Sequence, residues 1–275
     1  MCVPGCLETV HSRLSRRSFF KGAGASAAAG AAAMMAPAQP ATAAPTSFSQ
    51  VIDMTHTMDG DFPTYFGKAG IEMERMARIE DDGFNMFRWS LIEHAGTHLD
   101  APIHFSEGDT RTAAEVPIED LVAPLVVIDI KQRAADDPDT RVTPDDIKAW
   151  ESQHGPIPDG AAVAMNSGWD RHAPGPKFAN RDDDGKMHFP GFHGEATRYL
   201  MEETGARGLV VDTLSLDYGL SGTFDTHYAW LPSNRWGMEC IMNLDRVPAR
   251  GATLVVGAPK VRNATGGLTR AMALV

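Results

Sequence analysis

The sequence predicts a strand-rich α/β domain. Short apolar runs bounded by turn residues recur along the chain, segments with helical start and stop signals are fewer, and 275 residues with 43% hydrophobic and 22% charged side chains suit one folded domain or at most two. Val51-Ile52, Met86 to Ile92, Leu125 to Ile130, Ala161 to Met165, Gly208 to Val211 and Thr253 to Val256 read as buried or half-buried strands. Thr143 to Ser152 reads as a helix: threonine at the N-cap, Pro144 at the first position, and Asp145 and Asp146 where the helix dipole favours negative charge. Gly194 to Thr204 reads as a second helix, stopped by Gly205. Arg171 to Phe189 is rich in Gly, Pro, Asp and Asn and is predicted to form a long surface loop.

Residues 1–44 read differently. Ser15-Arg-Arg-Ser-Phe-Phe-Lys21 precedes a weakly apolar Gly/Ala run and then Ala41-Thr42-Ala43, which resembles a twin-arginine export signal with its cleavage site. The resemblance implies a cleaved signal over 1–44, passage through the twin-arginine translocase, a periplasmic or secreted bacterial protein, and a single domain over 45–275. Cutting after Ala43 takes the net charge from −11 to −14, since four basic residues and one acidic residue leave. A surface so acidic repels nucleic-acid phosphates and anionic lipid, which argues against both partners. Cys2 and Cys6 leave with the signal, so Cys240 has no partner for a disulfide within the chain.

The chemistry concentrates in His94-Ala-Gly-Thr-His98-Leu-Asp100-Ala-Pro-Ile-His104. A helix would put Asp100 far around the cylinder from His94 and His98, and Gly96 and Pro102 oppose it. A straight strand would hold the two histidines ~13 Å apart. The chain must therefore bend at Ala95-Gly96-Thr97, making a strand end that curls around something small. A divalent cation suits imidazole and carboxylate donors in that arrangement.

HAGTHLDAPIHF resembles the signature H-x-G-T-H-x-D-x-P-x-H-F of the metal-dependent cyclase family, which includes bacterial kynurenine formamidase and isatin hydrolase. Val51-Ile-Asp-Met-Thr-His56, Asn166-Ser-Gly-Trp169 and Asp212-Thr-Leu-Ser-Leu-Asp217 are similar to further family segments, with Ser167 in place of a threonine. The resemblance implies a swivelling β/β/α-type fold, a homodimer, and one or two divalent ions, Zn²⁺ or Mn²⁺, held by His94, His98, Asp100, His227 and Glu239. His104 would be the catalytic acid/base, titrating near working pH. Tyr65 and Phe66 align with a loop that places an aromatic against the substrate, Phe66 standing where the family often has proline.

The activity implied is hydrolysis of an amide-type C–N bond in a small molecule, an aryl formamide or cyclic amide, by water that a cation activates. Ring-opening of a lactone or ester on the same site is one alternative. An exported metal- or small-ligand-binding protein without turnover is another, and a closed structural metal site a third. Among the other histidines, His56 is expected to hydrogen-bond behind the site or serve structure, His188 and His193 are not expected to be ligands, and His154 and His172 are expected to be solvated loop residues.

Overall fold

A computed structural model describes residues 47–275, so the signal assigned to 1–44 lies outside the described residues. The apolar runs form the expected strands, each within a few residues. In chain order the elements begin with β1 (Val51–Asp53), β2 (Ile71–Ala77), α1 (Ile79–Asp82), β3 (Met86–Leu91), β4 (His98–Asp100) and β5 (Val122–Asp129). There follow α2 (Lys131–Asp136), β6 (Arg141–Val142), α3 (Pro144–His154), β7 (Ala162–Asn166), β8 (Gly191–Phe192), α4 (Gly194–Glu203) and β9 (Gly208–Val211). The last are α5 (Asp225–Trp230), β10 (Trp236–Glu239), β11 (Ala252–Gly257), β12 (Gly266–Leu268) and β13 (Arg270–Leu274).

Nine strands make one mixed sheet in the order β1-β13-β11-β5-β7-β9-β10-β4-β12. Strands β5, β7, β9 and β10 run parallel, and antiparallel strands extend the sheet at both ends. Alternation along the parallel strands divides the core in two. Leu125, Val127, Ala162, Ala164 and Val210 face one cluster, which also takes Ile52 and Ala273 from one end of the sheet and Leu99 and Met238 from the other. Side chains from both ends share a single interior, so the sheet is curled. Val126, Ile128, Val163, Met165, Leu209 and Val211 face the opposite way, onto Ile147 and Trp150 of α3, Leu200 of α4 and Trp230 of α5.

The helix signals act as local chemistry requires. Thr143 and Asp146 cap α3 reciprocally, the Asp146 carboxylate accepting from the Thr143 amide at 2.8 Å. Gly205 does not stop α4 in a left-handed turn: Thr204 ends the helix in extended conformation, and a Cβ on Gly205 would crowd Asp159, 3.1 Å from its Cα.

Three expectations need correction. Met86 to Ile92 is not buried: among the described residues β3 pairs only with β2, in a two-stranded ribbon apart from the large sheet, and every residue of the strand is exposed. The 171–189 segment is not purely a surface loop, because Phe178, Met187 and Phe189 are buried with Phe62, Trp169, Leu214 and Cys240 in a third cluster. His154 ends α3 and His172 ends a short 3₁₀ turn; both are partly buried, each edging onto a tryptophan (Trp150 and Trp169) rather than standing in solvent.

Candidate active site

The site is built at the β10-β4-β12 end of the sheet. His98 and Asp100 lie two apart on β4 and so share a face, while Leu99 between them points into the core. Antiparallel pairing sets Glu239 of β10 directly opposite His98, which puts both side chains on that same face. Asp100 has glycine opposite it on either side, Gly237 of β10 and Gly266 of β12. A Cβ on Gly237 would lie 3.1 Å from Asp100 Oδ2, and one on Gly266 would lie 2.6 Å from His94 Cε1. The two glycines keep open the space that the ionisable side chains occupy.

The bend before β4 sits at Gly96, which takes a left-handed φ of 64°. It swings His94 back beside Asp100, with Nδ1 2.7 Å from Oδ1. Beyond β4, a 3₁₀ turn over Pro102–Phe105 stacks the His104 ring on that of His94, centroids 3.6 Å apart and 15° from parallel. His227 arrives on α5, whose first turn is gathered by Asp217: its carboxylate accepts from the Thr226 amide at 2.9 Å, the His227 amide at 3.2 Å and His227 Nδ1 at 2.6 Å.

Each imidazole is tied on its outer side and free on its inner side. His98 Nδ1 donates to the Gly96 carbonyl at 2.8 Å, which leaves Nε2 facing Asp100 Oδ1 at 3.2 Å and Glu239 Oε2 at 3.4 Å. His227 Nε2 lies 3.2 Å from Glu239 Oε1 and 3.8 Å from Asp100 Oδ2. His98 Nε2 and Asp100 Oδ2 are buried with no hydrogen-bond partner. Two carboxylates so crowded repel one another unless protons on the imidazoles or a cation lie among them, and an orphaned buried carboxylate oxygen is costly. The donor set therefore fits a divalent metal ion. Donor atoms of His98, Asp100 and Glu239 lie within 4.8 Å of one another, as do those of His94, Asp100 and His104, and Asp100 is common to both groups.

Electrostatics agree. Burial alone would pull the His98 and His227 imidazoles down, but the facing carboxylates more than offset it, raising His98 to about 9 and His227 to about 10. Burial would push Asp100 up, yet the facing His98 imidazole holds it well below the usual carboxylate range. Burial and the neighbouring Asp100 push Glu239 up. His104 differs from its expected near-neutral titration. Burial, assisted by the surrounding imidazoles and only partly opposed by Asp100, drives it down to about 3, so the ring is neutral at working pH.

His94, His104, His227 and Glu239 floor a cavity of about 150 Å³ walled by Tyr65, Phe66, Phe105, Leu214 and Phe224. The family model described as a putative cyclase matches residues 52–218. The chain belongs to the cyclase family. Its relatives include the isatin hydrolase of Roseibium aggregatum, 36% identical over 218 residues that cover 74% of this chain and 81% of that protein. The kynurenine formamidase of Maricaulis maris is 27% identical, covering 80% of this chain and 95% of that one. Isatin hydrolase A from Labrenzia aggregata, solved with benzyl benzoate, superposes with a TM-score of 0.78 at 35% identity, covering 82% and 93% of the two chains. An isatin hydrolase solved with the product analogue thioisatinate gives 0.77 at 32%, covering 82% and 92%. A structure described as a potential metal-dependent hydrolase with cyclase activity gives 0.62 at 23%, covering 82% and 96%, which shows the fold alone. With these relatives, this cyclase-family chain is a hydrolase.

All eight residues singled out in the sequence converge here: His94, His104, His227 and Glu239 on the floor, His98 and Asp100 buried against them, and Tyr65 and Phe66 on the wall. Sequence reasoning did not assign Asp217, although it stood in a segment already singled out, nor Phe105, Phe224, Glu93 and Thr265. His56 is not at the cavity. Its ring packs 5.4 Å from Phe62 and 6.0 Å from Phe178, and its amide donates to the Thr97 hydroxyl at 3.0 Å. His188 is paired with Asp139 and Asp182, and His193 caps α4.

Proposed function

We propose that this hydrolase cleaves the carbonyl C–N bond of a small aromatic amide, an aryl formamide or a cyclic aryl amide. The observation that carries the reading is the neutral His104 set beside five inward-facing donors at the floor of an aromatic-walled cavity. The names of the relatives, isatin hydrolase and kynurenine formamidase, support the same bond type.

His94, His98, Asp100, His227 and Glu239 would hold one or two divalent ions, Zn²⁺ or Mn²⁺. When bound, such an ion polarises a carbonyl and lowers the pKa of water toward neutrality. The remaining chemistry belongs to the chain. His104, neutral, accepts the proton of the attacking water. The imidazolium so formed is disfavoured by the burial that lowered its pKa, so it readily passes the proton to the departing nitrogen. Phe105 and Phe224 flank the histidine floor, their rings 5.7 Å apart, and Tyr65 lies 6.0 Å from Phe224. An aromatic acyl or amine group seats between such rings edge-on or offset. Burial, with Glu239 and Asp217 adding, pushes the Tyr65 phenol up, so it stays protonated and available to donate to a carbonyl oxygen.

The reading includes export through the twin-arginine route, supported by Arg16-Arg17 and the run that follows. It also includes a homodimer, supported by the ribbon of β2 and β3. Ile71, Met73 and Arg75 pair with Leu91, Trp89 and Phe87 to give one largely apolar face, while Glu72, Ser90, Glu74 and Arg88 make the other polar. Trp89 is 59% exposed and Met73 51%, an apolar stripe that a second copy would cover.

The test is turnover by the mature chain, stripped with chelator and restored with Zn²⁺ or Mn²⁺, on N-formyl arylamines, isatins and aryl lactones. Hydrolysis of the amides that returns with metal, and disappears in His104→Ala while the metal stays bound, supports the reading. A folded, metal-loaded chain without turnover on any of them contradicts it and leaves a binding protein.

A further inference from the structure

We infer that Thr265 and Glu93 act as positioning residues that fix the tautomer of His94, turning its Nδ1 lone pair onto the metal. The inference rests on the reading above that His94 is a metal ligand. It concerns two residues that carry no donor to the ion and that no motif marks.

The geometry determines which way each proton points. Glu93 Oε2 accepts from the Thr265 amide at 3.0 Å and also from the Thr265 hydroxyl. A hydroxyl has a single proton, and this one is committed to the carboxylate. Toward His94 the Thr265 oxygen can therefore only accept, and His94 Nε2 stands 2.8 Å from it. A His94 ring with a single proton must then carry it on Nε2, which leaves Nδ1 bare. Nδ1 is the nitrogen 2.7 Å from Asp100 Oδ1, on the side where the other donors meet. A bare nitrogen at that distance from a carboxylate oxygen is a repulsive contact, which a cation held by both residues would relieve.

The same segment grips the ring sterically. Gly266 follows Thr265 and packs its Cα against the imidazole so closely that a Cβ would meet Cε1 at 2.6 Å. The Thr265 carbonyl in turn accepts from the Ala101 amide at 2.9 Å, one residue past Asp100. Thr265 is thus pinned by the strand that bears Asp100, and its hydroxyl cannot drift from His94 without breaking that pairing. The order Glu93 to Thr265 to His94 matters more than any single bond. Without Glu93, the freed hydroxyl proton would turn to Nε2 and drive the ring to the opposite tautomer, with Nδ1 protonated and closed to metal.

That consequence gives the test. Zn²⁺ affinity of the purified full-length mature protein, measured by competition with a chelating dye, is compared for the parent, Thr265→Val, Thr265→Ser and Glu93→Leu. Thermal melting of each in its metal-free form reports folding. The expected result is a loss of about 10–100-fold in affinity for Thr265→Val and for Glu93→Leu, the scale seen when outer partners of ligating histidines are removed, with Thr265→Ser within about 3-fold of the parent. Folded Thr265→Val and Glu93→Leu proteins that bind Zn²⁺ as the parent does would overturn the inference, as would equal losses in Thr265→Ser and Thr265→Val. Should a variant fail to fold, long-range ¹H–¹⁵N correlation on the Zn²⁺-loaded parent decides the matter: His94 protonated at Nε2 supports the inference, and His94 protonated at Nδ1 overturns it. A parent that binds no Zn²⁺ at all would instead defeat the metal-centre reading on which the inference stands.

Discussion

At the residue scale, the side chains that matter are held by neighbours with little room to give. Gly266→Ala would put a methyl 2.3 Å from the Leu99 carbonyl oxygen as well as against His94, so the strand or the ring must shift. We expect a loss of about 1–3 kcal/mol in unfolding free energy, read by chemical denaturation, and weaker metal binding in the same variant. His104→Ala is expected to lower the rate constant for amide hydrolysis by about 10²–10⁴-fold with metal content unchanged, since the ring supplies proton transfer rather than a fold contact. In the metal-free site His98 is raised to about 9 and His227 to about 10, so at pH 7.5 both carry protons that an incoming cation must displace. Calorimetry in buffers of different ionisation enthalpy should show release of roughly two protons on metal binding. The sign follows directly: apparent affinity rises with pH up to the 9–10 window and levels beyond it. An affinity that fell with pH over that range would contradict the assignment of these rings.

At the element scale, Asp217 organises α5. Its carboxylate receives the second and third amides of that short helix and the His227 ring, three donors on two oxygens. In Asp217→Asn, the amide nitrogen brings two protons toward donors that need an acceptor, and we expect about 1–3 kcal/mol of destabilisation together with a loosened His227. Equal melting temperatures and equal metal affinity for the two proteins would count against this role. The 171–189 segment also reaches the site, because Arg181 donates to the Tyr65 carbonyl at 2.9 Å and so steadies the cavity wall.

Much at this scale was legible in the sequence. Val163 and Met165 against Ala162 and Ala164 on β7, or the threonine-proline start of α3, carry their pattern in adjacent residues. β2 was not legible, since Glu72, Glu74 and Arg75 break up its apolar content, and neither were β12 and β13, which are short and rich in Gly and Ala. The exposure of β3 was misread for a different reason. Burial depends on which partner a strand finds, and that choice is made far from Met86 to Leu91.

At the scale of the whole molecule, the site exists because strand order brings distant segments together. His94 to His104 could be read as a bent metal-binding peptide from spacing alone, and the resemblance to the cyclase family added His227 and Glu239. The reason Glu239 stands opposite His98 is the insertion of β10 between β9 and β4, and the glycines beside Asp100 have meaning only once that register is set. Thr265 and Glu93 carry no signal in sequence, since their relation to His94 arises from β12 lying against β4. If the ribbon face is a subunit interface, light scattering should give two chains per particle for the mature protein, and Met73→Glu with Trp89→Glu should give one. A parent that is monomeric at micromolar concentration would rule the dimer out.

The claim on which all three scales depend is that these residues surround a cation. Anomalous diffraction at the absorption edge of Zn or Mn, from crystals of the metal-loaded mature protein, tests it most directly. The account predicts a peak about 2.0–2.3 Å from the inward atoms of His98, Asp100, His227 and Glu239, or a pair of peaks that share Asp100 and take in His94. Crystals without a peak in this cluster, with the imidazoles hydrogen-bonded to the carboxylates in its place, would contradict it.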